Sequence, residues 1–311
     1  MKLNELEFHD LLSIAEFTPI KTSHPNAWIG HLPFAYWLIK LAKPKIFVEL
    51  GTHTGNSYFG FCQSVRDNKM STKCYAVDTW SGDEHAGFYD DRVFEDVSRF
   101  NELNFSSFSR LMRMKFDSAL DYFEDSSIEL LHIDGLHTYE AVKHDFESWL
   151  PKLTSNAIVL FHDTNVRERG FAVWKLFDEL KERYPLHFEF LHCNGLGVIQ
   201  LGGNTASNKL ASLFEVSSNQ ILIRNYFSSM GEKQLLAFSD RGQSYRLNEY
   251  QNTINEQGKL IKELENQLTT ITANSAEQLA YQNHVIEALS NSTSMKITKP
   301  LRSISRLFRK I

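Results

Sequence analysis

The run Ile46-Phe-Val-Glu-Leu-Gly-Thr-His-Thr-Gly-Asn-Ser57 constrains this chain more than any other stretch. An apolar strand carries an acid, Glu49, near its end and breaks into a turn punctuated by Gly51 and Gly55. Glycines let backbone N–H groups approach a small polar ligand at the mouth of a parallel sheet, where the next helix begins. A nucleotide-like ligand is the first expectation. A second run, Lys73-Cys-Tyr-Ala-Val-Asp78, also ends on an acid, at about the separation one helix needs to return the chain to the sheet. Asp78 is thereby placed to hold a ribose.

From residue 46 to about 201, short β-branched or aromatic runs alternate with amphipathic stretches, the pattern of βαβ units around a parallel sheet. Strands are expected at 46–50, 73–77, 109–115, 128–133, 156–161, 186–192 and 196–201. In the helix expected over 139–150, Tyr139, Val142, Phe146 and Trp149 share one face. The last two strands are joined by Cys-Asn-Gly-Leu, too short for a parallel crossover, so they form an antiparallel hairpin at the sheet edge. Residues 3–18 and 27–42 read as two helices that roof the ligand cleft.

With 311 residues, 42% of them hydrophobic, the chain is long enough for one α/β domain plus a further part. A formal charge of -5 argues against nucleic acid as a partner. Cys62, Cys74 and Cys193 are odd in number and widely spaced, which suits a reducing, cytoplasmic setting. No apolar run reaches the ~18 residues of a bilayer span, and the N-terminus lacks the order of a signal peptide, so a soluble or peripheral protein is expected.

After Leu201 the character changes. An α/β domain over 1–204, with N-terminal helices to 45 and the sheet core at 46–201, gives way to a helical linker region at 205–245. A heptad register follows over 246–290. Its two core positions are Leu247, Ile254, Ile261, Leu268, Ser275, Gln282, Leu289 and Tyr250, Gln257, Leu264, Ile271, Gln278, Val285, nine of the thirteen being apolar. A coiled-coil arm roughly 60 Å long is predicted, with homo-oligomerisation as its consequence. A helix packed back on the domain is the alternative. The tail, 291–311, is basic: from Ser294 onward it has six basic residues and no acid, with Leu301, Ile304, Leu307 and Phe308 at helical spacing. Such a tip suits an anionic membrane surface at the inner face of the cell membrane, or a protein partner; a solvated tail is the plain alternative.

A dinucleotide dehydrogenase fingerprint needs three glycines in G-x-G-x-x-G, whereas only Gly51 and Gly55 stand here. A nicotinamide-dependent oxidoreductase is disfavoured on that ground. With Glu49 before the turn and Asp78 closing the second strand, residues 25–201 resemble the class I S-adenosylmethionine-dependent methyltransferases. The resemblance implies a Rossmann-like, seven-stranded, mostly parallel sheet with a terminal antiparallel hairpin. It implies Glu49, Gly51, Thr52 and Gly55 at the methionine end of S-adenosyl-L-methionine, Asp78 on the ribose, and an adenine contact within Phe116-Asp117-Ser118, with Ser118 among the cofactor-binding residues.

Two further segments, Leu131-His-Ile-Asp-Gly-Leu-His-Thr-Tyr139 and Ile158-Val-Leu-Phe-His-Asp-Thr-Asn165, each end a central strand. Asp134, His137, His162 and Asp163 should therefore converge at the carboxyl edge of the sheet. Structural roles compete with this, notably Asp134 as the N-cap of the helix ahead of Tyr139. The arrangement resembles the metal-assisted O-methyltransferases of macrolide sugars and the neighbouring cephalosporin-hydroxylase group. That likeness implies a divalent cation on Asp134, His162 and Asp163, with His137 as base and Asp134 beside it in catalysis. The strand-five pair of those relatives is acidic; His162 in the place of one carboxylate favours Mn²⁺, Fe²⁺ or Zn²⁺ over Mg²⁺, and a site without metal is the alternative.

The loop from Asp78 to Asp91 carries Trp80, His85 and Tyr89, a set that can stack on and hydrogen-bond a sugar; an ordinary surface loop with Trp80 buried beneath the adenine side is the alternative. His31 is a weaker acceptor-side candidate, more naturally a helix-start residue. The expected activity is O-methylation of a carbohydrate hydroxyl, and the whole layout resembles bacterial proteins of surface polysaccharide assembly (O-antigen or capsule). A non-catalytic scaffold that organises glycosyltransferases through 205–311 is the alternative.

Overall fold

A computed structural model describes residues 13–202, 210–214, 218–298 and 300. In chain order its strands are β1 (Ile46–Leu50), β2 (Lys73–Asp78), β3 (Gly82–Asp83), β4 (Gly87–Phe88), β5 (Ser109–Arg113), β6 (Ile128–Ile133), β7 (Leu153–His162), β8 (His187–Phe190) and β9 (Leu196–Gln200). Seven of them form one sheet in the order β5-β2-β1-β6-β7-β9-β8, while β3 and β4 pair as a small hairpin. Neighbours from β5 to β7 are parallel, with Val48 opposite both Tyr75 and Leu131. β9 is antiparallel to both its neighbours, Val198 facing Leu160 and Phe188. The chain therefore adopts the expected α/β Rossmann-like sheet with its edge hairpin. Strand order reverses between β1 and β6, which opens a crevice at their carboxyl ends.

The central strands are apolar at nearly every position because both faces are covered. Phe47, Leu130 and Leu160 enter one core with the helices Leu32–Ala42 and Asn56–Asp67; Val48, Leu131 and Val159 enter the other with Tyr139–Trp149 and Val173–Arg183. In Tyr139–Trp149 the buried residues include Val142, Phe146 and Trp149, and its N-cap is Thr138, which accepts from the Ala141 N–H, so Asp134 is free of that duty.

Three boundaries differ from the sequence expectation. β5 stops at Arg113, its last ladder bond running from the Met114 N–H to the Asp78 carbonyl at 3.0 Å, and the helix Phe116–Ala119 follows. β7 begins at Leu153 instead of 156, where it pairs with Ile128. The first compact unit ends at Asp240, beyond the domain limit expected at 204. The stretch read as a linker holds the start of the helix Ser218–Asn291, which packs by the face carrying Phe227 and Gln234. Phe227 is buried against the rings of Phe34 and Trp37 at 5.4 and 5.3 Å, and Gln234 donates to the Phe17 carbonyl at 2.9 Å. Most of the N-terminal helix expected over 3–18, residues 203–209 and 215–217 around the domain's end and the linker, and the basic tip from Leu301 lie outside the described residues.

The second unit is Arg241–Ile311. Its described part is helical to Asn291, and Leu247, Leu264, Leu268 and Ile271 of the heptad face are exposed within the single chain. No helix among the described residues is long and apolar enough to cross a membrane.

Candidate active site

The glycine turn is held from below. Gly51 takes φ +86 and its N–H bonds to the Val77 carbonyl; a Cβ there would lie 2.1 Å from the Asp134 carbonyl oxygen. Gly55, at φ +82, closes the turn with a 2.8 Å bond to Thr52 and caps the helix Asn56–Asp67. Asp78 organises this turn: one oxygen accepts the N–H groups of Thr52 and His53, each at 2.8 Å, and the other accepts that of Trp80 at 2.7 Å. A carboxylate has about four acceptor positions, so Asp78 retains capacity on the cavity it lines.

That cavity holds about 710 Å³ and runs along the carboxyl edge of the sheet. Gly51, Thr52, Asn56 and Ser57 form one wall, Phe116, Asp117, Gly135 and Asp145 a second, and Asp134, His137, His162 and Asp163 a third. The four titratable groups expected to meet at one mouth do meet. His137 Nε2 lies 2.8 Å from Asp163 Oδ2 and 3.4 Å from Asp134 Oδ1; His162 Nδ1 lies 3.2 Å from Asp134 Oδ1. Burial opposes charge on His137, yet hydrogen bonds and charge from Asp134 and Asp163 outweigh it and raise the imidazole to about 9. Burial likewise opposes ionisation of both aspartates, but the two histidines hold their carboxyls well below the usual range.

Asp134, His162 and Asp163 each offer one donor atom, all within 4.8 Å of one another. Asp163 Oδ1 is buried without a partner, and His162 Nε2 faces the Cys193 carbonyl at 3.2 Å. An imidazole that donates from Nε2 to a carbonyl presents its Nδ1 lone pair, the arrangement common behind metal-bound histidines. One nitrogen and two carboxylate oxygens fit a divalent cation of the Mn²⁺, Fe²⁺ or Zn²⁺ kind. The hairpin tip fixes this corner, with Cys193, Asn194 and Gly195 all left-handed at φ 50, 70 and 92.

The remaining sequence candidates divide. Thr52, His85 and Tyr89 line the cavity. Glu49 is fully buried behind the turn, where Oε2 meets His132 Nδ1 at 2.8 Å, and burial raises its carboxyl. It sits beneath the ligand wall because side chains alternate along β1. Ser118 is exposed outside the cavity, its neighbours Phe116 and Asp117 lining it instead. Trp80 is 1% exposed: its indole donates to the His53 carbonyl and packs on Phe94, which makes it core and removes it from the sugar-facing set. His31 is buried at the start of the helix Leu32–Ala42, facing the Cys193 carbonyl.

Sequence reasoning passed over Arg169, Phe171, Asn194 and Asp145, all of which line the cavity. The one available signal for Arg169 and Phe171 was their loop, which follows the carboxyl end of a central strand and contains Gly170.

Residues 48–164 match the family model described as a methyltransferase domain. Over that segment the strand order is that of a Rossmann-like methyltransferase fold. Over 235 residues, 74% of the chain, it is 45% identical to an uncharacterized protein, y4gI, of Sinorhizobium fredii; the chain spans 25% of that protein's length. Similar solved structures include the Podospora anserina methyltransferase PaMTH1 bound to S-adenosylhomocysteine, at 15% identity and TM-score 0.43 over 65% of this chain and 98% of that one. Another is the O-methyltransferase TomG of Streptomyces achromogenes, at 12% identity and TM-score 0.42 over 65% and 92%.

Proposed function

We propose that the chain transfers the methyl group of S-adenosyl-L-methionine to a hydroxyl oxygen of a carbohydrate acceptor. The observation that carries this reading is the placement of His137, between Asp134 and Asp163, in the same cavity as the glycine turn. In that reading Gly51, Thr52 and Ser57 face the methionine part, Asp78 the ribose, and Phe116, Asp117 and Gly135 the adenine. His85 and Tyr89 face the sugar. A lone pair of the acceptor oxygen attacks the methyl carbon, the carbon–sulfur bond breaks, and its electron pair returns to sulfur as a neutral thioether. The hydroxyl proton passes to the His137 imidazole once that ring has lost its own extra proton, and because Asp134 and Asp163 raise the group to about 9, turnover should climb as pH rises toward 9. A cation on Asp134, His162 and Asp163 would supply charge neutralisation at the carboxylates and orientation of the acceptor oxygens.

His137→Ala should leave S-adenosylhomocysteine binding by calorimetry nearly unchanged and slow turnover by about two to four decades; unchanged turnover removes the residue from the mechanism. Incubation with labelled cofactor and a bacterial glycan extract, with and without chelator, tests acceptor class and metal together. Label in the saccharide fraction supports the proposal, and label confined to protein or lipid ends it.

The heptad face of the second unit suits self-association through a coiled coil, and the basic tail suits an anionic membrane surface or a glycosyltransferase partner at the cytoplasmic side. Such an arm would present several active sites to one long surface glycan. Deletion of residues 295–311 should reduce membrane association at low salt, read by fractionation; identical fractionation refutes the tether.

A further inference from the structure

The loop that joins β7 to the helix Val173–Arg183 brings a cation to the acceptor side of the cavity. It leaves the sheet at Asp163 (φ 62) and turns through two consecutive left-handed residues, Arg169 (φ 53) and Gly170 (φ 77). It is then pinned to the base itself, since the Ala172 N–H donates to the His137 carbonyl at 2.8 Å. Between these fixed points Phe171 lies buried and nearly parallel to His137, centroids 4.5 Å apart at 9°, and to His85, 4.5 Å at 18°. The Arg169 guanidinium carbon sits 4.9 Å above the same phenyl ring. One aromatic ring thus links a cation to the proton acceptor.

Six aspartates line this cavity, Asp78, Asp83, Asp117, Asp134, Asp145 and Asp163, yet no carboxylate pairs with Arg169 among the described residues. An acidic wall suits the cationic sulfonium of the proposed cofactor. A planar guanidinium stacked on an aromatic face, with its donor edges free, is suited to a carboxylate or phosphate that enters from outside. His85 adds to the same wall a buried Nδ1 without a partner. Gly170 leaves the space between open, since even a Cβ there would stay 4.0 Å from His85 Nε2.

We propose that Arg169, with His85 beside it, binds an anionic group on the acceptor sugar, a carboxylate or a phosphate, and so selects a charged saccharide over a neutral one. This rests on the methyl-transfer reading and assigns the acceptor its class.

The test is calorimetry on the full chain saturated with S-adenosylhomocysteine, with D-glucuronate, D-glucose 6-phosphate and D-glucose as probes. The wild-type protein should bind at least one of the two anions roughly ten- to a hundredfold more tightly than glucose, and which anion it prefers identifies the group. Arg169→Ala should reduce the anion to the glucose level while S-adenosylhomocysteine affinity stays within about twofold, and Arg169→Lys should restore part of the difference. Equal anion binding by wild type and Arg169→Ala, or no binding of either anion, overturns the proposal. So does a loss in Arg169→Ala that falls on S-adenosylhomocysteine, because the cation would then hold the cofactor's own carboxylate. If the wild-type protein binds no S-adenosylhomocysteine, the methyl-transfer reading fails separately, and the same anion comparison without it still reads Arg169.

Discussion

Asp145 lies at the back of the cavity, its carboxyl close to Gly135, where a Cβ would come within 3.4 Å of Oδ2. Burial, with the charge of Asp117 adding to it and that of His144 opposing it, raises this carboxyl to about 7. A group whose folded value exceeds its unfolded value of 3.8 contributes full stability below pH 3.8 and loses it as pH rises through 7. The gap corresponds to at most roughly 4 kcal/mol. Asp145→Asn should therefore melt like the wild type near pH 4 and several degrees higher at pH 8; an equal difference at both pH values would show that the carboxyl does not titrate in this way. Gly51 answers to geometry alone. Gly51→Ala forces a methyl group into the Asp134 carbonyl at a left-handed φ, so the variant should lose S-adenosylhomocysteine binding by at least an order of magnitude or fail to fold, seen by calorimetry beside circular dichroism. His137 and His162 were visible in the sequence because one closely follows the end of a central strand and the other ends one. Glu49 and Trp80 were legible as positions but not as roles, because which side of a strand or loop meets solvent depends on what packs over it.

At the scale of elements, β1, β2, β6 and β7 announce themselves through short, mostly apolar runs, and β7 starts earlier than expected because Leu153 pairs with Ile128. The hairpin β8–β9 was equally readable from its short connection. The first turns of the helix Ser218–Asn291 were not. Phe227 and Gln234, seven residues apart, are too few to make a periodic signal, yet the packing of Phe227 against Phe34, Trp37 and Phe190 adds that segment to the first unit. Phe227→Ala should cost about 3–5 kcal/mol in denaturant unfolding of the domain. A loss below about 1 kcal/mol would mean the helix start contributes little to the core.

For the molecule as a whole, the exposed leucines and isoleucines after Arg241 are the feature that a single chain leaves unresolved. If a second copy covers them, Ile261→Glu with Leu268→Glu should convert the full chain to a monomer in sedimentation analysis, with S-adenosylhomocysteine binding intact. A wild-type chain that is already monomeric at micromolar concentration would end the oligomer proposal.

What the amino-acid order determined by itself is everything carried by local pattern: the strand periods, the two glycines at the turn, the acids and histidines at strand ends, and the heptads. Those signals survive because each arises between residues a few positions apart. Tertiary structure alone decided that Asp78 spends three bonds on the backbone of the turn, that Glu49 lies behind it against His132, and that Arg169 reaches the base through Phe171. Each of these joins residues from separate elements, and the contact exists only once the sheet has brought their ends to one edge.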